Sequence, residues 1–398
     1  MWQKIKNIYH LLNAFLANLW YGFPSKKLTV IGVTGTDGKT TTVNLIYHIL
    51  RESGCNISMI SSVGAIINGK NYEVGFHVTT PSSWMIQRFL KIASVAKGSY
   101  VVVEVTSHAL DQNRVWGIDF RVGVLTNVTK EHLDYHKTYE NYVNTKAKLL
   151  KSAKTSIINK DDGSYSLIST KKNKKSKFMT YGLKQDAEIN PRLFPFKTRL
   201  IGEFNKYNVL AAVGACKALG LKDDQIRRGV ESFEAPIGRE EIVYKNLFTV
   251  MVDFAHTPNA LEQILSSIRP SVRNKLIHVF GSAGQRDFQK RPQMGGISSK
   301  YADVIILTAE DSRTEPLHKI NNEIISGIED KIWKIEGKRL LVRDDRQEAI
   351  NEAIGMAKKG DFVLLTGKAH EKSMNLGHGE EPWDEYEAVK KALEKRRI

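Results

Sequence analysis

The stretch from Val30 to Thr42, VIGVTGTDGKTTT, constrains the fold of this chain more than any other. Leu28 to Val33 is an apolar, β-branched run that reads as a buried strand. Gly35 and Gly38 follow, where the backbone turns back and a Cβ would clash. Lys39, three threonines and a helical run from Val43 to Leu50 come next. A strand, a glycine loop and a helix start together form an anion site, because backbone N–H groups and the helix dipole converge on one point. Gly35, Thr36, Asp37, Gly38, Lys39, Thr40 and Thr41 are then the candidate phosphate cradle. Lys39 reaches the outer phosphates and the Thr40 hydroxyl holds Mg²⁺. The general P-loop pattern has a glycine where this chain has Val33. The Gly-Lys-Thr ending, set between strand and helix, outweighs a glycine turn with no ligand.

Length and charge bound the rest. The 398 residues make about two to three domains. Hydrophobic residues at 41 % and charged residues at 26 % describe an ordinary globular protein. The only cysteines, Cys55 and Cys216, allow neither a disulfide framework nor a thiolate zinc site, which suits a reducing cytoplasm. A formal charge of +16 attracts anions of any kind. Part of it is the run Lys171, Lys172, Lys174, Lys175 and Lys177, read as a solvated loop. No aromatics interleave with it, so no nucleic-acid partner is expected.

The N-terminal segment, residues 1–27, is expected to be an amphipathic helix ending near Gly22 and Pro24. Ile5, Ile8, Leu12, Phe15, Leu16 and Leu19 recur at helical spacing, with Trp2, Tyr9, Trp20 and Tyr21 beside them. No small-residue cleavage site marks a signal peptide, and no run is long enough to span a membrane. The simpler reading packs the apolar stripe on the domain behind it. The other makes the helix a peripheral membrane or protein contact.

From Leu28 strands alternate with helices, so the fold class is α/β: a central P-loop domain at 28–236 and a C-terminal doubly wound, Rossmann-like domain at 237–398. Tyr100 to Val105 and Val122 to Val128 read as strands, Thr138 to Leu150 and Asn205 to Leu219 as helices. Glu234-Ala-Pro-Ile-Gly238 breaks the pattern and marks the boundary. Beyond it, Thr249 to Asp253, Leu276 to Phe280, Val304 to Leu307, Leu340 to Val342 and Phe362 to Leu365 are strand candidates, and Asp384 to Arg396 is a last helix.

Chemistry gathers after the strands. Glu104 closes an apolar strand, where a Mg²⁺ ligand beside a P-loop belongs. His132, Asp134 and His136 crowd one loop past the next strand, and a metal site competes there with structural histidines.

At this point the chain resembles the Mur ligases, in particular the branch that adds the third residue to a muramoyl dipeptide. The motifs run in order from Leu28 to Trp383: VTGTDGKTT, TTPS at Thr79 to Ser82, EVTSHALDQNRV from Glu104, TNVTKEHLDYH from Thr126, YENYVNTKAKLL from Tyr139, GEFNKYNVLAA from Gly202 and GRE at Gly238. VDFAHTP, FGSAGQRDFQKRPQMG, TAEDSRTE and TGKAHE follow in the second half. The resemblance implies an ADP-forming, carbon–nitrogen ligase of peptidoglycan synthesis in the cytoplasm. ATP phosphorylates a carboxylate of a UDP-muramoyl-dipeptide-like acceptor, and a free amino acid's amine displaces the phosphate. Such transfer between anions needs positive charge held in line with them.

By the same resemblance, Thr40, Glu104, His132 and Lys146 hold Mg²⁺, two ions in all, with Lys146 acting as a carbamate and Lys39 and His132 as catalytic partners. An ammonium would repel the metal, whereas a carbamate can ligate it; an unmodified surface lysine is the plain alternative for Lys146. Thr79, Thr80, Ser107, Gln112 and Arg114 match acceptor contacts, although hydroxyls also serve turns. Asn205 and Asn208 match the adenine side, or are helix N-caps. Asp253 and His256 match the ribose loop, and Arg286 and Lys290 phosphate contacts, with an ordinary salt-bridged loop as alternative. The incoming amino acid falls to Asp311, Arg313, Gly367 and Glu371. Family members that take diaminopimelate carry Asp-Asn-Pro-Arg where this chain has Glu310-Asp311-Ser312-Arg313. Arg313 keeps the guanidinium for a distal carboxylate, so diaminopimelate is expected ahead of lysine.

One departure stands at the front. The family carries a uridine-nucleotide domain before the P-loop, and only 31 residues precede Gly32, too few for one. A lipid-linked acceptor is one answer to that. Two rivals remain: another superfamily ligase, folylpolyglutamate-type or partner-dependent and amidating, and a basic P-loop ATPase acting on nucleic acid.

Overall fold

The computed structural model describes residues 2–75, 79–96, 99–170, 176–184, 186–328 and 339–396, with side chains from Lys6 onward. Lys171, Lys172, Lys174 and Lys175 of the basic run lie outside the described residues; Lys177 opens a strand. The chain divides into two compact units, Met1–Glu234 and Ala235–Ile398.

The first unit runs α1 (Trp2–Tyr21), β1 (Thr29–Thr34), α2 (Lys39–Glu52), β2 (Ile57–Ser61), β3 (Gly64–Ile67), β4 (Lys70–Tyr72), α3 (Ser83–Ala93), β5 (Tyr100–Glu104), α4 (Ser107–Asp111), β6 (Phe120–Leu125), α5 (Leu133–His136), α6 (Tyr139–Ser152), β7 (Thr155–Asn159), α7 (Tyr165–Ser169), β8 (Lys177–Tyr181), α8 (Glu203–Ala218) and α9 (Asp223–Ser232). Its sheet has the order β4-β3-β2-β5-β1-β6-β7-β8. The ladders from β2 through β8 are parallel, and β3 and β4 add an antiparallel edge that the sequence reading did not anticipate. The β-branched run Val101–Val103 is fully buried between helical layers, as a central parallel strand requires.

Local chemistry moves three expected boundaries. α2 starts at Lys39 rather than Val43, because Gly38 takes a left-handed φ of 78° and turns all three threonines into the first helical turns. β6 ends at Leu125, not Val128, because Thr126 and Asn127 leave the sheet to bind the glycine loop: Thr126 Oγ1 donates to Asp37 O at 2.6 Å, and Asp37 N donates to Asn127 Oδ1 at 2.9 Å. α8 begins at Glu203, so Asn205 and Asn208 lie inside the helix and are not its caps.

α1 packs on the first unit with the face opposite to the one expected. Ala14, Ala17 and Asn18 are fully buried, while Leu12, Leu16 and Leu19 point outward. Two alanines allow close approach. Asn18 Nδ2 secures it by donating to Ala14 O and Trp116 O, both at 2.8 Å. Gly117 makes room, since a Cβ there would sit 2.8 Å from the Asn18 side chain.

The second unit contains β9 (Glu241–Lys245), β10 (Thr249–Asp253), α10 (Pro258–Ile268), β11 (Leu276–Phe280), α11 (Lys290–Tyr301), β12 (Val304–Leu307), α12 (Leu317–Ile325), β13 (Arg339–Val342) and β14 (Phe362–Thr366). Helices Arg346–Met356 and Glu385–Lys395 complete it, with a small hairpin at Ser373–Asn375 and Glu380–Pro382. Its sheet reads β13-β12-β11-β14-β10-β9, parallel except for β9. Arg346 and Glu385 form a fully buried ion pair, with Nη2 2.6 Å from Oε1, that ties two helices across the sheet edge. Arg346 Nη2 also donates to Thr366 O at 2.8 Å, at the end of β14.

Candidate active site

In both sheets the loops after the parallel strands gather at the carboxyl edge, where doubly wound folds place ligands. In the first unit these loops follow β1, β5 and β6.

The loop after β1 fits tightly on its neighbours. A Cβ on Gly35 would lie 1.7 Å from Thr126 Oγ1, and one on Gly38 would lie 2.1 Å from Asn208 Oδ1. Asn208 is held in turn by Nδ2 donating to Asn205 Oδ1 at 2.9 Å. Both asparagines therefore support the loop, and α8 lies directly against it. Lys39 is half-buried and folds back over the loop, donating to Thr36 O at 2.7 Å.

Thr40 and Glu104 meet as expected. The Thr40 hydroxyl lies 3.1 Å from each Glu104 carboxylate oxygen and 3.0 Å from Ser62 Oγ. Ser62 N donates to Glu104 Oε2 at 3.1 Å. A carboxylate and two hydroxyls converging on one point form a hard oxygen donor set suited to Mg²⁺. Sequence reasoning passed over Ser62, which lies in the turn after β2 and carries no motif of its own.

Lys146 is not a surface lysine. It is 1 % exposed, and its Nζ donates to Gly35 O at 2.6 Å while lying 4.4 Å from the centre of the Tyr142 ring. Burial, then the Lys39 charge, hold its amine well below the usual lysine range. Helical spacing explains the placement: Tyr142 and Lys146 are one turn apart on the buried face of α6. Tyr142 adds a contact between its hydroxyl and Thr36 Oγ1 at 3.3 Å.

The histidines divide. His132 sits in a left-handed turn (φ 55°), with its ring 4.9 Å from that of His108. His136 is buried, and its Nε2 lies 3.1 Å from Ser107 Oγ. Burial, then the neighbouring His108, bring His136 down to about 4, so it stays a neutral imidazole at physiological pH. Asp134 is exposed. Among the described residues no three His, Cys, Asp or Glu side chains converge to hold a metal, so His132, Asp134 and His136 do not make a metal site by themselves.

The acceptor candidates form a connected wall. Thr80 Oγ1 donates to Glu104 O at 2.9 Å and accepts from Thr106 N at 2.9 Å. Arg114 donates through Nε to Gln112 Oε1 at 2.8 Å and through Nη1 to Thr80 O at 2.9 Å. Thr79 adjoins this wall and is half-buried.

In the second unit, the Asp253 carboxylate accepts from Glu240 N at 2.8 Å and Ala255 N at 2.7 Å, and burial raises its pKa. Asp253 thereby shapes the loop that carries His256, whose Nδ1 contacts Phe254 O at 2.9 Å. Lys290 is buried and donates to His256 O at 2.9 Å; Arg286 is exposed. The next residue, Arg291 in the first turn of α11, is paired with Glu315 and Glu323.

Lys368 lies within the TGKAHE motif, in the stretch from Gly367 to Glu371 expected to meet the amino acid, but the sequence named no role for it. It is fully buried and donates to Asp311 Oδ1 at 2.9 Å and Glu371 Oε2 at 2.7 Å, joining two amino-acid candidates. Asp311 also accepts from Asn375 N. Glu310 Oε2 is buried with no hydrogen-bond partner among the described residues, and a Cβ on Gly367 would come within 2.8 Å of it. Burial raises the Glu310 pKa. Arg313 takes a left-handed φ of 53° and donates to Gly284 O at 3.1 Å.

A parallel sheet with a glycine loop at its centre, a buried Thr–carboxylate pair and a buried lysine beside that loop define a nucleotide-using transferase or ligase. Comparison with known proteins sharpens the class. Residues 33–216 match the Mur ligase middle domain, and residues 238–369 match the Mur ligase glutamate ligase domain. The UDP-N-acetylmuramoyl-L-alanyl-D-glutamate–2,6-diaminopimelate ligase of Aquifex aeolicus is 38 % identical over 95 % of this chain and 80 % of its own length. A solved structure of an enzyme of that name is 28 % identical with a TM-score of 0.61, covering 93 % of this chain and 79 % of that one. E. coli FolC in complex with DHPP and ADP reaches a TM-score of 0.73 at 19 % identity, over 98 % of this chain and 94 % of that one; at such identity the likeness concerns the fold alone. The chain belongs to the Mur ligase family, and it is an ATP-dependent amide-bond ligase. Among the described residues no helix is long and apolar enough to cross a membrane.

Proposed function

We propose that the chain joins diaminopimelate to a UDP-N-acetylmuramoyl-dipeptide acceptor at the expense of ATP, through an acyl phosphate. The reading rests chiefly on the A. aeolicus ligase of that specificity, similar over nearly the whole chain. Lys39, Thr40 and the loop amides take the ATP phosphates, and Asn205 and Asn208 seat the loop against α8. The oxygen donors of Thr40 and Glu104 suit Mg²⁺, with His132 and a carbamate on Lys146 completing its surroundings. When bound, the metal supplies charge neutralisation between the phosphates and the attacking carboxylate. Gly35 N–H and Lys39 then face the transferred group, and Arg114 with Gln112 orients the acceptor. His256, Arg286 and Lys290 are assigned to the nucleotide as well.

For the amino acid, Lys368 fixes Asp311 and Glu371, and Arg313 takes the distal carboxylate. The Glu310 oxygen without a partner suits an incoming ammonium, which would return that buried acid to its charged form. Incubation of the protein with ATP, UDP-muramoyl dipeptide and either diaminopimelate or lysine, with product mass read directly, tests the assignment. The expected product is the diaminopimelate tripeptide; ADP release with no amide product refutes it. Arg313→Ala is expected to lower kcat/KM for diaminopimelate far more than for lysine, by at least about tenfold in the ratio, because an unmatched polar group discriminates strongly. An unchanged ratio removes Arg313 from recognition.

A further inference from the structure

α1 presents the wrong face to water. Ile8, Leu12, Phe15, Leu16, Leu19 and Trp20 are exposed, from 44 % for Phe15 to 77 % for Trp20. With Tyr9 they fill one arc of about 140° at a hundred degrees per residue. The inward face carries the small side chains Ala14 and Ala17, and the largest apolar groups point out. A helix that existed only to close the domain would be built the other way round. Trp116, 40 % exposed, borders one edge of the stripe through its ring contact with Phe15, and Trp84, 37 % exposed, borders the other through Nε1 donating to Asn13 Oδ1 at 3.2 Å, so the apolar surface extends beyond the helix. A contiguous patch of this kind marks an interaction surface.

Its charge indicates the partner. Lys4, Lys6, Lys26 and Lys27 all precede Asp37, and no carboxylate side chain does. Lys6, Lys26 and Lys27 are exposed. A second copy of the chain placed on this helix would bring like charges together. An anionic bilayer surface matches both features: the apolar arc enters the acyl boundary, aromatic rings sit at headgroup level, and lysines meet lipid phosphates. The helix cannot span, so it would lie in the plane of the surface.

We infer that the exposed face of α1 docks this protein on an anionic lipid surface. The inference is independent of which amino acid the enzyme adds. The test is co-sedimentation of the full chain with phosphatidylcholine vesicles and with vesicles of equal parts phosphatidylcholine and phosphatidylglycerol, at low and high salt. The chain is expected on the anionic vesicles and to be released by salt. Lys26→Glu with Lys27→Glu should weaken partition by roughly tenfold or more, at about fivefold for each lysine near the surface. Leu12→Ser, Leu16→Ser and Leu19→Ser together should weaken it by about a hundredfold. All three side chains face solvent, so the melting temperature and ATP turnover on soluble substrates should not change. The tryptophan emission should shift to the blue on anionic vesicles, a shift that Trp20→Phe reduces. Absence of binding, equal binding to neutral vesicles, or a soluble dimer that the triple serine variant dissociates each overturns the inference.

Discussion

Lys146→Ala is expected to abolish ligation while leaving a folded protein that still binds ADP. The side chain is walled in by Tyr142 and the glycine loop, with its amine on Gly35 O and far from water. Burial favours the neutral amine, and a neutral amine is the form that attacks carbon dioxide. In the proposed carbamylation the nitrogen lone pair would form the new N–C bond, one carbon–oxygen π bond would move onto oxygen, and the nitrogen would give up a proton to buffer base. The neutral amine would thereby become an anion, the charge proposed to join the Thr40–Glu104 oxygens in holding a divalent ion. Alanine removes that charge and leaves a cavity, so the loss should exceed about 3 kcal/mol of transition-state stabilisation. Bicarbonate or chloride should restore part of the activity to the alanine variant by supplying an anion. Lys146→Arg should restore none, since a guanidinium forms no carbamate under these conditions. Labelled carbon dioxide should give a carbamate carbon resonance in the wild type and none in either variant. Near-normal turnover of Lys146→Ala removes the residue from the site.

Strands were the most legible part of the sequence. Thr249–Asp253, Leu276–Phe280 and Val304–Leu307 fall where apolar, β-branched runs placed them, because a strand buried on both faces has no polar alternation to blur its ends. Helix starts were less legible. Apolar periodicity first shows at Val43, but α2 begins when Gly38 turns left-handed, and a turn of polar threonines carries no periodic signal. The edge strands β3 and β4 were not seen, since they are short and half-exposed. Of the site, the contact between Thr40 and Glu104 could be read from two strand ends in one sheet. The wedging of Thr126 under Gly35, the Lys368 bridge and the Ser62 hydroxyl could not, because each joins residues far apart in sequence through loop geometry. The outward stripe of α1 was hidden for another reason: periodicity identifies an apolar face and says nothing about which way it points.

Lys39→Ala is expected to reduce ligation by about 2–4 kcal/mol in transition-state free energy, which is roughly a hundredfold to a thousandfold in rate. The lysine is half-buried and touches the loop through one hydrogen bond, to Thr36 O, so its removal costs the loop a single contact. The loop keeps its shape through groups that the substitution does not reach. Gly35 stays pressed on Thr126, Gly38 stays on Asn208, and Asp37 N stays on Asn127. Melting temperature should therefore change by no more than a degree or two, about what a surface substitution allows. The loss should appear mainly in kcat, because the ammonium meets most negative charge when the phosphoryl group is in transit and the oxygens around it are least compensated. Lys39→Arg should recover only part of the rate, since a planar fork cannot occupy the place of a compact ammonium. Measuring kcat, KM for ATP and thermal unfolding on the three proteins separates the cases. A variant that unfolds, or one that loses only ATP affinity, would show that Lys39 holds the loop or the ground state and does not stabilise the transfer.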